Sequence, residues 1–455
     1  MNKLKQLFLV AIVSAMTVSC VKVNFNEENG TGNTNNPDDP NVSRVLVGSY
    51  ERDITLTGGV YTIRGYVYFG QGTTLRIPEG TILKSDVSQK GALIIERGAR
   101  IEALGTAQSP IVFTSGKPAG QRARGDWGGI IILGNAPTNR PLSPAPLIEG
   151  GVDRRYGGTN ATDNSGTLRY VRIEFAGIAA EPGSEINGLT LGGVGSGSTI
   201  EHVQVSYGND DAYEFFGGTV NAKYLVAYAS SDDDLDFDFG YTGKIQFAVV
   251  QRRPEIADAG DAGNGVEADN DGTGTSASPN TKPVLSNITW IGPNGDVNTN
   301  SQINFANRWR RAVNFEVHNS ILIGFPKAGF SMESAATANS YMNGSSKFMN
   351  NLVHALAKPY NVSAGAETVL TAAQLQTKAE SEGNITLNSG DDAMLTAPFN
   401  WDMPNYLPKA GSPALAGAGF GGLDPFFTNV PYRGAMGSTN WMQGWTSFTP
   451  QTNLY

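Results

Sequence analysis

Short runs of alternating hydrophobic and polar residues recur along the chain from about residue 45, separated by turns that contain glycine. Alternation of this kind predicts β-strands with one buried face. The runs TLRIPEGTIL (74–83) and ALIIERGARI (92–101) are alike, and their alignment places Ile77 over Ile95. We therefore expect a repeating structure built from short strands.

The most acidic part of the chain also repeats. The run YGNDDAYEFFGG (207–218) is followed by the similar run ASSDDDLDFDFG (229–240). The alignment pairs acidic residues of the two runs: Asp210 with Asp232, Asp211 with Asp233, and Glu214 with Asp236. The acidic side chains are therefore expected to stack from one coil of the repeat to the next.

Two further segments extend this alignment. GNGVEADNDG (263–272) follows an insertion and brings Glu267 and Asp269 into register with the preceding acids. INGLTLGG lies one repeat earlier and places Asn187 in register with Asp211. At least four successive coils are expected to share this region.

Periods of roughly 18 to 25 residues with short strands and polar turns are typical of a β-solenoid, in which stacked coils share one core. A leucine-rich repeat would need a leucine-dominated pattern with helical segments, and a propeller would need repeats of about 40 residues or more. We predict an all-β fold, a right-handed parallel β-helix.

The C-terminal quarter changes character. We predict that the β-helix spans residues 43–354 and that residues 355–455, the final segments of the same domain with room for further strands, cap its end, since a bare end would expose apolar core and open strand edges. The cap is expected to contain a short helix within TAAQLQTKAESEG (371–383), with Thr371 as its cap and Gly383 at its end.

The N-terminus has the pattern of an export signal. Basic residues precede a short apolar run, and Cys20, the single cysteine, follows Ser19 at its end. This pattern predicts a signal peptide over residues 1–19 and a lipid on Cys20; ordinary secretion with an incidental cysteine is the alternative. Residues 20–42 are expected to be the lipidated cysteine and a flexible tether, because they hold almost nothing to bury.

Composition and charge agree with an exported β-rich protein. The chain of 455 residues has 56 glycines, 23 prolines and only 16% charged residues. Its formal net charge of −9 excludes nucleic acid as an expected partner.

The acidic coils are candidates for a calcium site. Fourteen acidic residues face four basic ones between positions 209 and 271. Calcium takes six to eight oxygen ligands and would relieve the repulsion among them, although solvated turn acids are an equally ordinary explanation. The candidate ligands are the acids that the alignment brings together: Asp210, Asp211, Glu214, Asp232, Asp233, Asp234, Asp236, Asp238, Glu267 and Asp269.

Three further residues are candidates for ligand contact. Arg252 and Arg253 follow the acidic coils by one strand, and Trp309 lies between basic residues in RWRRAVNF. Tryptophan stacks on sugar rings and arginine binds anions. The alternatives are core packing for the tryptophan and charge pairing with the acidic coils for the arginines.

Several long motifs resemble one family. GDWGGIIILGNAPTN, NDDAYEFFGGTVNAKYLVAY, DDDLDFDFGYTGKIQF and the tail motif WMQGWTSF are similar to runs of outer-membrane lipoproteins with a pectin-lyase-like β-helix. The resemblance covers about residues 45–455. It implies a lipid-anchored protein of the outer membrane exposed at the cell surface, often paired with a TonB-dependent receptor, and it implies no established reaction.

Three functions follow from these observations. The first is a non-catalytic binding or accessory lipoprotein that presents one face of the β-helix to a glycan, a cation or a TonB-dependent receptor. The second is a calcium-dependent lyase or hydrolase of acidic polysaccharides. The Gly-His-Gly and Arg-Ile-Lys runs of polygalacturonases are absent, and the histidines His202, His318 and His354 lie in core-like segments. The third is an adhesin or structural surface protein.

Overall fold

The computed structural model describes residues 39–181 and 184–455. The predicted signal peptide, Cys20 and most of the predicted tether lie outside the described residues. None of the described helices is long and apolar enough to cross a membrane.

The first half of the described chain is built almost entirely from strands. A short helix, α1 (Pro40–Ser43), precedes them. The strands are β1 (Val45–Tyr50), β2 (Ile54–Thr55), β3 (Val60–Phe69), β4 (Thr74–Pro78), β5 (Ile82–Ser85), β6 (Ala92–Ile95), β7 (Arg100–Leu104), β8 (Ile111–Ser115), β9 (Gly129–Leu133), β10 (Gly166–Glu174), β11 (Ala179–Glu181), β12 (Ser184–Glu185), β13 (Leu189–Gly192) and β14 (Thr199–Ser206).

The second half continues the same pattern and adds two helices, α2 (Ala335–Met342) and α3 (Ala372–Ser381). Its strands are β15 (Tyr213–Phe216), β16 (Asn221–Tyr228), β17 (Leu235–Asp238), β18 (Lys244–Gln251), β19 (Glu267–Ala268), β20 (Val284–Ile291), β21 (Phe305–Trp309), β22 (Glu316–His318), β23 (Ile321–Phe325), β24 (Ala328–Glu333), β25 (Lys347–Met349), β26 (Leu352–Ala355), β27 (Lys358–Ser363), β28 (Ile385–Thr386), β29 (Leu395–Ala397) and β30 (Asn405–Pro408).

The solenoid strands form three ladders, and every pairing within them is parallel. The first ladder begins with β2, β4, β7 and the start of β10 and runs on to β22 and β25. The second passes through β5, β8 and the end of β10 to β23, β26 and β28. The third joins the end of β3 to β6, β9, β13, β15, β17, β19, β21, β24 and β27. The predicted parallel β-helix is confirmed.

The predicted superposition of Ile77 on Ile95 is wrong for the N-terminal coils. Ile77 pairs with Ala103 in the first ladder, whereas Ile95 pairs with Phe69 and Ile132 in the third. The coil is longer than predicted here, since Arg76 lies beside Glu102 and donates to it at 3.1 Å. The sequence comparison superposed two strand–turn–strand corners of different faces, because every corner has the same alternation around a glycine turn.

The acidic repeats, in contrast, pair as predicted. Glu214 lies beside Asp236 across β15 and β17, and Asp236 lies beside Glu267 across β17 and β19. Phe215 and Phe237 each follow one of these acids and face inward, and their rings stack with centres 5.1 Å apart. The buried aromatic residues fix the register, and this register forces the outward acids into one column.

The long strands bend where the first and second ladders meet. Tyr170, His202, Tyr224 and Phe247 occupy this bend on successive coils, each in the left-handed region with φ of 51–61°. Their rings form a stack, with ring centres 4.3 Å apart for the first pair and 4.4 Å for the second. Burial lowers the pKa of His202 to about 4, so its role is packing as a neutral ring.

Parallel pairing continues beyond residue 354. Strand β27 pairs with β24, and β28 pairs with β26. The solenoid therefore extends past the predicted boundary, because backbone pairing holds these short, polar strands in place without a clear alternating pattern. The predicted helix is confirmed as α3, which Thr371 caps through its side chain and after which Gly383 adopts a φ of +83°.

The last part of the chain runs back along the outside of the solenoid. Trp445 packs edge-on against Tyr170, with ring centres 5.8 Å apart. Farther on, Arg122 donates to the Pro450 carbonyl at 2.8 Å, and the Tyr455 hydroxyl donates to Glu174 at 2.7 Å. The segment predicted as an end cap thus covers one side of the solenoid.

Candidate metal centre

A column of Asn and Asp side chains marks the turn that leads into the third ladder. The side-chain Oδ1 of Asn187 accepts the Asp211 N–H at 3.3 Å, and that of Asp211 accepts the Asp233 N–H at 2.8 Å. Asp233 accepts the Asn264 N–H at 2.5 Å in the same way. On the first and last of these coils the oxygen that accepts the backbone N–H is the amide oxygen of Asn187 or Asn264. The hydrogen bond therefore does not require a charged side chain, and Asp211 and Asp233 add negative charge that the fold does not need.

Four other acidic side chains lie close to Asp211. Carboxylate oxygens of Asp210, Asp211 and Asp232 lie within 4.8 Å of one another, and so do those of Asp211, Glu214 and Asp236. The two triads share Asp211. We call these five residues the Asp211 cluster.

Two turns and two strands position the cluster. Asp210 and Asp232 lie on equivalent turns of successive coils, while Glu214 and Asp236 are outward-facing neighbours on β15 and β17. Because a parallel solenoid stacks equivalent residues about 4.8 Å apart, the repeat itself brings the like charges together.

The electrostatic surroundings of the cluster are acidic. Burial raises the pKa of Asp211 well above its usual value, and the carboxylates of Asp210 and Asp236 raise it further. Burial followed by neighbouring acids also raises the pKa of Glu214, and the same causes raise that of Asp232 to about 7. Bound protons or a cation therefore stabilise the cluster relative to its fully ionised state.

Glu149 joins the cluster from a distant part of the sequence. Asn187 donates from its Nδ2 to Glu149 Oε1 at 2.9 Å and also to Glu214. Burial is the main cause that raises the pKa of Glu149. Sequence reasoning missed this residue, because it lies in the insertion between β9 and β10, outside the repeat.

Two predicted calcium ligands outside the cluster, Glu267 and Asp269, have cationic partners. Glu267 is bridged by Arg308 at 2.8 Å and by Arg310 at 2.5 Å. Asp269 is bridged by Arg310 at 2.7 Å and by Arg311 at 2.5 Å. The arginines of RWRRAVNF thus neutralise the C-terminal end of the acidic column, one of the two roles considered for them.

Asp233, Asp234 and Asp238 also lie apart from the triads. Asp233 serves the column of turn hydrogen bonds. Asp234 is completely buried and pairs with Arg252 at 2.9 Å. Burial raises the pKa of Asp238 to about 8, and the neighbouring Asp269 adds to this shift.

Two of the three predicted ligand-contact residues cannot reach a ligand. Arg252 is completely buried and donates to backbone carbonyls, including those of Ser230 and Ser231, besides its ion pair. Trp309 is also completely buried and stacks on Phe315 inside the solenoid. Arg253 lies nearer the surface and pairs with Glu255 and Asp402.

The residues of the Asp211 cluster fit a hard divalent cation. Every donor is a carboxylate oxygen, which is the ligand type that calcium prefers. One buried oxygen, Asp232 Oδ1, has no hydrogen-bond partner among the described residues. The dominant electrostatic neighbours of Asp210, Asp211 and Glu214 are all carboxylates. None of these three acids forms an ion pair with a residue that the structure describes, whereas Glu267 and Asp269 are both paired with arginines.

The comparison with family models agrees with the architecture. The family model described as a pectate-lyase like beta helix domain matches residues 48–446. The crystal structure of pectate lyase Pel9A is similar with 12% sequence identity and a TM-score of 0.40, over 85% of this chain and 88% of that one. The comparison with curated proteins found no match.

Proposed function

Because this chain belongs to the pectate-lyase-like β-helix family, we propose that it is a surface-anchored binding lipoprotein that holds a glycan through calcium. The observation that carries the proposal is the Asp211 cluster, whose two triads bring carboxylate oxygens within 4.8 Å of one another. In this proposal the protein binds the glycan without cleaving it.

The energetics favour a cation over an empty cluster. Two charges at this separation repel by about 3 kcal/mol at the effective dielectric constant of a protein surface. A bound Ca²⁺ turns these repulsions into attractions, and its six to eight oxygen ligands exceed what one triad supplies. Hydroxyl and carboxylate oxygens of a glycan would complete the coordination.

The surface anchor rests on the sequence alone. The pattern that ends at Cys20 predicts lipidation, and the family resemblance implies an outer-membrane location and a TonB-dependent receptor as partner. We propose that the receptor takes up the glycan that this protein holds. Replacing Cys20 by serine should move the protein out of the membrane fraction, and a receptor should co-purify in equal amounts with the native protein.

A calcium-dependent polysaccharide lyase is the second candidate, and one arginine favours it. Arg124 donates to the Ser231 hydroxyl at 2.5 Å, directly beside Asp232, and takes part in no ion pair within the described chain. Burial lowers its pKa. In its neutral form this guanidine could remove the proton next to a uronate carboxylate; the bond to the glycosidic oxygen then breaks as a carbon–carbon double bond forms, and the leaving oxygen takes a proton from water.

One experiment separates binding from cleavage. The purified protein is incubated with polygalacturonate in calcium or in EDTA, and both retained protein and new ultraviolet absorbance from unsaturated ends are measured. We expect calcium-dependent retention without new absorbance, and loss of retention in Asp211→Asn. New absorbance that disappears in Arg124→Ala would establish the lyase instead, and equal retention in calcium and EDTA would contradict the calcium proposal.

A further inference from the structure

The insertion between β9 and β10 folds over the N-terminal coils as a hairpin. Leu147 and Arg155 form an antiparallel bridge within it. Ile148 and Val152 pack into an outer apolar cluster that also contains Ile94. These contacts hold the hairpin against the solenoid, and they therefore also fix the shape of the cavity that the hairpin lines.

A cavity of about 550 Å³ lies at this edge. Its lining includes Glu149, Arg140, Arg155, Tyr156, Phe216 and Phe239. The rings of Phe216 and Phe239 come from successive coils and stack with centres 5.9 Å apart. The volume falls within the range of about 300–1,000 Å³ that small-molecule sites occupy.

Two guanidinium groups at the cavity have no carboxylate partner. Arg140 lies over the Phe239 ring at 4.6 Å, and Arg155 donates to the Ala145 carbonyl. Neither arginine forms a salt bridge with any residue that the structure describes, although the chain carries a net charge of −9. Both side chains are exposed yet held by these contacts, so they are positioned to bind an anion.

A second cavity of about 320 Å³ adjoins the first and shares Arg140 and Pro141 with it. Its other lining residues are polar or small and include Asn139 and Asp271, whose carboxylate accepts hydrogen bonds from the hydroxyls of Thr273 and Thr275. Arg140 therefore stands between two compartments, an arrangement that suits consecutive residues of an oligosaccharide.

We propose that the two cavities bind an oligosaccharide that carries anionic groups. One sugar ring lies at the edges of the stacked Phe239 and Phe216 rings, Arg155 binds its carboxylate or sulfate, and Arg140 binds the charged group between the two compartments. The inference rests on the proposed function for the glycan nature of the ligand. It does not depend on the Asp211 cluster, since the arginines recognise charge without a metal.

The test is calorimetric titration of the full chain with three probes: trigalacturonate, its neutral methyl ester, and a sulfated galactose trisaccharide. We expect at least one charged probe to bind about tenfold or more tightly than the ester. Arg140→Ala and Arg155→Ala should each weaken charged binding about tenfold and leave binding of the ester unchanged. Arg140→Ala should matter less for a single galacturonate residue than for the trimer, and Arg100→Ala, an exposed arginine on another face, serves as the matched control.

The two charged probes separate a uronate from a sulfate as the recognised group. Equal affinity for charged and neutral probes, absence of binding, or unchanged affinity in both arginine variants would overturn the inference. Calcium titrations of the same samples separate its failure from that of the calcium proposal. Calcium binding without any sugar binding refutes only the arginine cavities, and arginine-dependent binding of a charged sugar without any calcium binding refutes only the metal centre.

Discussion

Replacing Asp211 by asparagine changes charge while keeping a hydrogen bond. Its Oδ1 accepts the Asp233 N–H at 2.8 Å, and an asparagine oxygen serves the same position one coil earlier at Asn187 and two coils later at Asn264. The substitution therefore removes a ligand from both triads with little disturbance of the backbone.

Without calcium the variant should be more stable than the wild type. Burial and the neighbouring carboxylates raise the pKa of Asp211 in the folded state, so keeping this carboxyl ionised near neutral pH opposes folding. Each unit by which the folded pKa exceeds the unfolded one costs about 1.4 kcal/mol at a pH above both values. The neighbouring acids share this cost, and we expect the free energy of unfolding to rise by about 1–3 kcal/mol.

With calcium the sign should reverse. A cation at 100 times its dissociation constant stabilises the folded wild type by about 2.7 kcal/mol, and a variant that has lost a ligand shared by two triads forfeits most of this gain. Asp233→Asn is the matched control, because Asp233 occupies the same column one coil later but belongs to neither triad. This control should stabilise the protein in both conditions.

The assay is thermal unfolding at pH 7 in EDTA and in millimolar calcium, followed by circular dichroism. We expect roughly 1–2 °C per kcal/mol for a chain of this length, scaled from smaller domains. The reasoning is refuted if Asp211→Asn and Asp233→Asn shift the midpoint equally in calcium, or if calcium leaves the wild-type midpoint unchanged.

Three further predictions address charge and capping. In EDTA the midpoint should fall as the pH rises from about 4 to 8, because acids with raised pKa values, such as Asp232 near 7 and Asp238 near 8, keep the folded state more protonated than the unfolded chain; melts across this range, with calcium flattening the slope, are the check. Arg252→Met should lower the free energy of unfolding by about 3–5 kcal/mol, because it leaves Asp234 buried and unpaired, and the added change Asp234→Asn should recover part of this loss in urea titrations. Thr371→Ala should cost about 1 kcal/mol and speed hydrogen exchange within α3, since it removes the hydroxyl that accepts the Gln374 N–H.

The sequence predicts the acidic column well because its register is set locally. Phe215 and Phe237 alternate with the acids, and burial of these rings fixes which side chains face outward. The pattern failed where strand corners resemble one another, as at Ile77 and Ile95. Beyond residue 354 the pattern does not locate the individual strands, because pairing rather than apolar periodicity holds them.

The rest of the candidate sites depends on contacts between distant segments. Glu149 reaches the acidic column only through the fold of the insertion, which brings it to its partner Asn187. The aromatic and arginine cavity likewise combines the insertion with two later coils. Trp309 was a reasonable candidate for sugar stacking, but it is buried because it faces inward on β21. On so short a strand, which side chains face inward can be decided only from the register with the neighbouring strands.

The most direct measurement of the central claim is the number of calcium ions bound per chain at pH 7, by equilibrium dialysis of the wild type, Asp211→Asn and Asp233→Asn. The account predicts at least one calcium ion on the wild type and on Asp233→Asn, and fewer on Asp211→Asn. A wild-type protein that binds none at millimolar calcium, or an Asp211→Asn variant that binds as many as the wild type, would contradict it.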